Sequence, residues 1–155
     1  MRYAITSGPD CILWFTETTG SIAKITPSGD VVRFQVPRSP ANSTPSGITL
    51  GSDNNLWFTE YSGSKIGRIT TNGDITEFEI SPYSFPNDIV SGPDGNLWFV
   101  DGNKIGRITT DGVITEFNTG IVYGSLKNIA LGSDNNLWFT GLGVVAKITT
   151  NGTVT

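Results

Sequence analysis

Acidic side chains recur at one position of a repeated sequence word. Trp-Phe is followed two residues later by an acidic residue in three copies and by glycine in the fourth: Glu17, Glu60, Asp101 and Gly141. Each lies 14 residues after a residue with a polar or basic side chain: Tyr3, Ser46, Asn87 and Lys127. Carboxylate, hydroxyl and amide oxygens are ligands that Mg²⁺ and Ca²⁺ accept. If the fold brings these copies together, Glu17, Glu60 and Asp101 are candidate metal ligands; otherwise they are hydrated carboxylates bonded to neighbouring strands.

The chain contains no histidine, the side chain that titrates near neutral pH and commonly abstracts protons in enzymes. Tyr3 or Lys127 could replace it only with a strongly lowered pKa. The single cysteine, Cys11, excludes an intrachain disulfide and is expected to be a passive surface thiol. The residues therefore give no catalytic site, and whether the chain is an enzyme is left open, with binding favoured.

The elements that must position these residues are copies of one repeat. The four tryptophans lie roughly 40 residues apart, and the segment 50–59 returns letter for letter at 131–140. Each copy contains short apolar stretches separated by turns rich in Gly, Asn and Ser, without helical periodicity. Four strands in such a period are typical of a β-propeller blade. The sequence therefore predicts an all-β fold in one domain, with four blades of four antiparallel strands at about 1–37, 38–82, 83–120 and 121–155.

Three sets of repeated residues receive structural interpretations. Adjacent blades bury each other's faces, so the tryptophans are expected in the core between blades: Trp14, Trp57, Trp98 and Trp138. The turn aspartates are expected to bond their own backbone: Asp10, Asp53, Asp94 and Asp134. The basic residues of the third strands are expected to be solvated, or to pair with Glu77 and Glu116: Lys24, Arg68, Arg107 and Lys147.

Composition excludes several classes of partner. The net charge is -4, which argues against binding to nucleic acid or to an anionic membrane. No apolar run approaches the ~18 residues of a membrane helix, and no signal-peptide pattern opens the chain. We expect a soluble protein and leave its compartment open.

Several words of the chain resemble the virginiamycin B lyase, or streptogramin lyase, family. They are Thr44-Pro45-Ser46-Gly47-Ile48-Thr49, Trp57-Phe58-Thr59-Glu60, Lys65-Ile66-Gly67-Arg68-Ile69-Thr70 and Ile75-Thr76-Glu77-Phe78. The resemblance implies NHL-like blades and an activity that linearises a cyclic depsipeptide by magnesium-assisted elimination at its ester. It also implies that the two positions 14 residues apart face the top of the central channel. The candidate ligand-binding residues are then Tyr3, Glu17, Ser46, Glu60, Asn87, Asp101 and Lys127.

The catalytic part of the resemblance fails. The family's general base is the histidine of a Pro-His-Gly-Ile-Thr word, and the matching residues here are Tyr3, Ser46, Asn87 and Lys127. The first hypothesis is therefore a non-catalytic binding and assembly module that holds a small molecule, glycan or peptide at the channel mouth. The alternatives are a Mg²⁺-dependent streptogramin B lyase-type enzyme, and an engineered or excised fragment with no function beyond assembly.

How four blades close a ring is a separate question. Two chains could form an eight-bladed ring, one chain could close alone, or the blades could belong to a longer protein. Copies 1 and 3 share Ser-Gly-Pro-Asp, and copies 2 and 4 share Leu-Gly-Ser-Asp-Asn-Asn. This alternation favours an even number of blades, and we expect a homodimer.

Overall fold

The computed structural model describes residues 4–9, 11–37, 44–122 and 125–155, which form 15 β-strands and no helix. Blade 1 contains β1 (Ile5–Ser7), β2 (Leu13–Glu17), β3 (Ser21–Ile25) and β4 (Val31–Gln35). Blade 2 contains β5 (Pro45–Leu50), β6 (Leu56–Glu60), β7 (Lys65–Ile69) and β8 (Ile75–Glu79). Blade 3 contains β9 (Pro86–Ser91), β10 (Leu97–Asp101), β11 (Lys104–Ile108) and β12 (Ile114–Asn118). Blade 4 contains β13 (Leu126–Leu131), β14 (Leu137–Gly141) and β15 (Val144–Ile148).

Each blade is an antiparallel sheet whose strands pair in chain order. The prediction of an all-β chain made of four such sheets is confirmed. Four strands in every blade is wrong for blade 4, which has three. Its fourth position is a single bridge between Ile148 and Val154. No helix in the described ranges is long and apolar enough to span a membrane.

The blades pack through two kinds of face. Alternate residues of a strand point to opposite sides, so the repeated Leu-Trp-Phe places Trp on one face and Leu and Phe on the other. We call these the Trp face and the Phe face. Between blades 2 and 3, Trp57 and Ile66 pack in one cluster with Leu97 and Phe99. Equivalent clusters join blade 1 to blade 2 and blade 3 to blade 4.

The Trp face of blade 4 is open in this structure, whereas the Trp faces of blades 1 to 3 each pack against the next blade. Trp14, Trp57 and Trp98 are fully buried, whereas Trp138 is 39% exposed. Trp138 therefore does not lie in a core between blades of this chain.

The basic residues of the third strands lie over the tryptophan rings of their own blades. The register places Arg68 opposite Trp57 and Arg107 opposite Trp98, so each pair shares one face of the sheet. The Arg68 guanidinium carbon is 5.6 Å from the Trp57 ring centroid. The expectation that these residues are solvated or paired with Glu77 and Glu116 is wrong. Those carboxylates bind other lysines: Lys65 pairs with Glu77 and Lys104 with Glu116.

The first strands of neighbouring blades lie side by side. β1 contacts β5, β5 contacts β9, and β9 contacts β13. First strands are therefore the innermost elements. We call the region where their starting ends lie together the mouth.

Candidate functional site

A β-bulge opens the first strand of blades 2, 3 and 4. In blade 2, Pro45 pairs with Glu60 and Ile48 pairs with Phe58, so two residues, Ser46 and Gly47, stand opposite one. The same shift occurs at the starts of β9 and β13. Bulges change the direction of side chains next to a site. Here they fall at Ser46, Asn87 and Lys127, the positions that the sequence singled out.

Threonine hydroxyls hold the bulges and join neighbouring blades. Thr59 Oγ1 accepts a hydrogen bond from Gly47 N at 2.8 Å and donates one to Asn87 O at 2.9 Å. Thr16 Oγ1 likewise accepts from Ala4 N and donates to Ser46 O at 2.9 Å. Because these bonds are largely buried, they fix the spacing of the first strands.

Blade 3 has no threonine at this position and uses a carboxylate instead. Val100 occupies it, and Asp88 accepts a hydrogen bond from Ile129 N of blade 4 at 3.0 Å. The other Asp88 oxygen accepts from Ile89 N at 3.0 Å. The channel mouth is thus braced by polar bonds across all three blade junctions.

A depression of about 440 Å³ lies at this mouth, and all four blades contribute to its wall. We call it the mouth depression; its described lining is Thr18, Thr44, Pro45, Ser46, Tyr61, Asn87 and Lys127. Three predicted residues, Ser46, Asn87 and Lys127, are therefore brought together. Ser46 Oγ donates to Asn87 Oδ1 at 3.2 Å, which orients the amide, and Lys127 Nζ donates to Ser125 Oγ at 3.2 Å.

Sequence reasoning missed four wall residues, which are Thr18, Thr44, Pro45 and Tyr61. Thr18 and Tyr61 directly follow the Trp-Phe-Thr-Glu words, and Thr44 precedes the first strand of blade 2. The Tyr61 ring lies 5.6 Å from the Phe85 ring and is tilted by 46°. The position of Thr18 and Tyr61 directly after a repeated word is the sequence signal that could have identified them. Tyr3, which the sequence also assigned to the mouth, lies outside the described residues.

The three predicted carboxylates do not line this depression. Glu17 accepts from Arg33 Nε at 3.0 Å, and Asp101 Oδ1 accepts from Phe85 N at 2.6 Å. Glu60 is fully buried. Glu60 and Asp101 end the second strands of their blades, opposite Pro45 and Pro86, the residues that precede the bulges.

The metal site predicted from Glu17, Glu60 and Asp101 is not formed by the described residues. In those ranges, no group of three or more His, Cys, Asp or Glu side chains could hold a metal ion. Two of the three carboxylates are bound to a neighbouring arginine or a backbone amide instead. This arrangement does not fit Mg²⁺ or Ca²⁺ held by these three residues.

Comparison with known proteins identifies the blades. The sequence profile of the Virginiamycin B lyase family matches residues 1–155. Selenomethionine-substituted virginiamycin B lyase from Staphylococcus aureus is 46% identical with a TM-score of 0.92, over 98% of this chain and 53% of that chain. A catalytically inactive histidine-to-alanine variant of that lyase with quinupristin is 46% identical with a TM-score of 0.93, over 99% and 54%. A streptogramin B lyase structure is 32% identical with a TM-score of 0.92, over 97% and 52%.

No curated protein sequence matches the chain. The chain spans about half the length of these solved relatives. The match covers every residue and all four blades, and the chain belongs to the virginiamycin B lyase family.

Proposed function

We propose that the mouth depression binds a cyclic depsipeptide of the streptogramin B class. The observation that carries this proposal is the depression itself, because residues of four separate blades converge on it at the channel mouth. Family membership supports the ligand class, and one similar structure is of a lyase with quinupristin. The proposal is binding rather than turnover by these 155 residues, because they contain no histidine.

The chemistry of the wall suits such a ligand. A volume of about 440 Å³ falls within the usual range of small-molecule sites. Tyr61 and Pro45 offer apolar contact, and the Asn87 amide nitrogen and the Lys127 ammonium offer hydrogen-bond donors. The Ser46 hydroxyl donates to Asn87 Oδ1 and holds that amide in place. Carboxylates are absent from the described part of the lining. A peptide ring presents many carbonyl acceptors and is already rigid, so a donor-rich wall can bind it at a low entropic cost.

Asn87→Ala tests the proposal by isothermal titration calorimetry with quinupristin. The substitution removes a donor at the mouth and the partner of the Ser46 hydroxyl, so we expect the affinity to fall about tenfold or more. Asn118→Ala is the matched control, because Asn118 is exposed at the end of β12 and does not line the depression. Absence of binding to the wild-type chain, or equal binding by Asn87→Ala, contradicts the proposal.

Family membership favours a second candidate, ring opening of the same ligand. Elimination removes a proton from carbon, breaks the ester C–O bond, and leaves an alkene and a carboxylate, so mass is unchanged and retention time shifts. Ser46, Asn87 and Lys127 would orient the ester at the mouth, while the base would have to be another side chain than histidine or come from outside these residues. We expect no linear product by chromatography from the chain alone with quinupristin and Mg²⁺. Its appearance would replace the binding proposal with catalysis.

The assembly half of the function is also a proposal: copies of the chain associate to close the ring. It is supported by apolar faces left open at both ends of the blade row, with Leu13 at one end and Val145 at the other exposed. A contiguous apolar face of this kind favours association.

A further inference from the structure

The connection from β8 to β9 contains a turn whose backbone conformation does not suit its sequence. Ser84 N donates a hydrogen bond to Ser81 O at 3.2 Å and closes a four-residue turn around Pro82 and Tyr83. Tyr83 has a φ of 66°, in the left-handed region that turns normally fill with glycine or asparagine. A bulky side chain in this region costs stability, because its Cβ crowds the backbone.

The other residues with positive φ show how unusual Tyr83 is. In the described ranges most of them are glycine or asparagine, and Tyr83 is the one aromatic side chain among them. The matching connection of the next blade, from β12 to β13, uses Gly120 with a φ of 74°. Strained backbone of this kind occurs at functional sites, where the side chain repays the cost through its role.

Hydrogen bonds from both neighbouring blades hold this turn in place. Ser64 Oγ of blade 2 donates to Ser84 O at 2.7 Å, and Asp101 Oδ1 of blade 3 accepts from Phe85 N at 2.6 Å. These bonds fix the main chain directly after Tyr83. The position of the Tyr83 ring is therefore set before any ligand arrives.

The Tyr83 ring contributes little to the packing of the protein, because 88% of the residue is exposed. Phe85, two residues later, is also exposed, and its ring centroid lies 5.6 Å from that of Tyr61. Tyr61 lines the mouth depression. We call Tyr61, Tyr83 and Phe85 the aromatic lip. The lip joins the depression through Tyr61, and the same connection leads into Asn87 of its wall.

We propose that Tyr83 is a ligand-contacting residue, whose ring covers an apolar face of the depsipeptide bound in the mouth depression. Tyrosine presents a large apolar area together with a polar hydroxyl, which suits contact with one face of a peptide ring. Because the turn is already fixed, placing this ring against the ligand costs little entropy. The inference rests on the proposed function and adds a residue that selects ligands with an apolar face.

Calorimetry with quinupristin and urea unfolding of the same variants test this role. Tyr83→Gly removes the ring and relieves the left-handed backbone, so we expect the urea midpoint to rise while the affinity falls about tenfold. The relief should outweigh the freedom that glycine adds to the unfolded chain. Tyr83→Phe retains the ring and should bind quinupristin as the wild type does.

Cys11→Gly is the matched control for the relief of strain. Cys11 is exposed, has a φ of 60°, and lies in the turn between β1 and β2, at the opposite end of the strands from the mouth. Its replacement should raise the urea midpoint and leave the affinity unchanged.

The outcomes separate this inference from the function on which it rests. Wild-type affinity in Tyr83→Gly would overturn the contact with Tyr83 and leave binding at the mouth standing, which Asn87→Ala tests separately. A lower urea midpoint in Tyr83→Gly would overturn the argument from strain. Absence of quinupristin binding to the wild-type chain would overturn the proposed function together with this inference.

Discussion

At the scale of single residues, one aspartate in blade 2 and one in blade 3 link a turn to the core between blades. Asp53 accepts hydrogen bonds from Asn55 N at 3.2 Å and from Trp57 Nε1 at 3.0 Å, and Asp94 does the same with Asn96 and Trp98. Burial alone would raise the pKa of Asp53, but the bonds from Asn55 and Trp57 outweigh it and lower that pKa below 3.8. The ionised carboxylate is therefore part of the fold.

Lowering the pH should reveal how much the ionised Asp53 carboxylate contributes to the stability of the fold. Because the pKa of Asp53 is lower in the folded chain than in the unfolded one, the ionised group stabilises the fold above about pH 4. That stability is lost as the pH falls through the folded pKa. Asp53→Asn should lower the free energy of unfolding at pH 7 and flatten its dependence on pH below about pH 4. Urea unfolding across this range measures both; a variant as acid-sensitive as wild type would contradict the role of Asp53.

Arg68 should be replaceable by lysine but not by alanine. Its guanidinium lies over Trp57 and Phe78 and donates to Thr110 O, and Lys24 makes the same contacts in blade 1. Loss of a cation–π contact and a charged hydrogen bond predicts that Arg68→Ala lowers the free energy of unfolding by about 2 kcal/mol. Arg68→Lys should lose less than half of that. Chemical denaturation of both variants decides the point, and equal losses would refute it.

The residues differ in how far their roles could be predicted from sequence. Trp57 could be assigned to the core because a blade cannot bury its own faces. Arg68 could not be placed, because its partner depends on which residue lies opposite in the register, and that residue is Trp57 rather than Glu77.

At the scale of elements, close contact between first strands sets the width of the mouth. A Cβ added to Gly47 would lie 3.0 Å from Asp88 Cα and from Ile89 N, which are backbone atoms of β9. Glycine is required here for close approach of two strands rather than for a special backbone angle. Threonine bonds then hold the two strands in place.

Gly47→Ala should therefore push β5 away from β9. Overpacking against backbone predicts a loss of about 1–3 kcal/mol in the free energy of unfolding, and weaker ligand binding. Ser46→Ala is the control at the neighbouring position, since it removes one hydrogen bond without adding bulk and should cost about 1 kcal/mol. Urea denaturation and calorimetry measure the two effects. A Gly47→Ala chain as stable as wild type would contradict close strand contact.

The strands follow from the repeat, but the bulge does not. Apolar stretches and Asn-Gly turns place β7 and β8 directly. The extra residue at the bulge does not change the pattern of apolar residues, so the sequence does not reveal it. It nevertheless shifts the register so that Pro45, rather than Ser46, lies opposite Glu60. Glu60 is therefore absent from the described lining of the mouth depression, whereas Ser46, Asn87 and Lys127 meet there because they hold equivalent positions in their blades.

At the scale of the whole molecule, four blades make one mouth and leave two open faces. A blade count could be read from the tryptophan spacing. The sequence does not tell which faces remain uncovered, because Trp138 lies in the same sequence word as Trp57. Only its 39% exposure distinguishes it, and that exposure depends on the neighbour it lacks.

The central claim is that the ligand binds at the mouth rather than on an open apolar face. Titration of the ¹⁵N-labelled chain with quinupristin, followed by NMR chemical shifts, tests it most directly. We predict saturable shifts centred on Ser46, Tyr61, Asn87 and Lys127. Shifts centred on Leu13, Phe15 and Ile25 would show that the ligand binds the open Phe face, and would contradict the account, as would a titration without shifts.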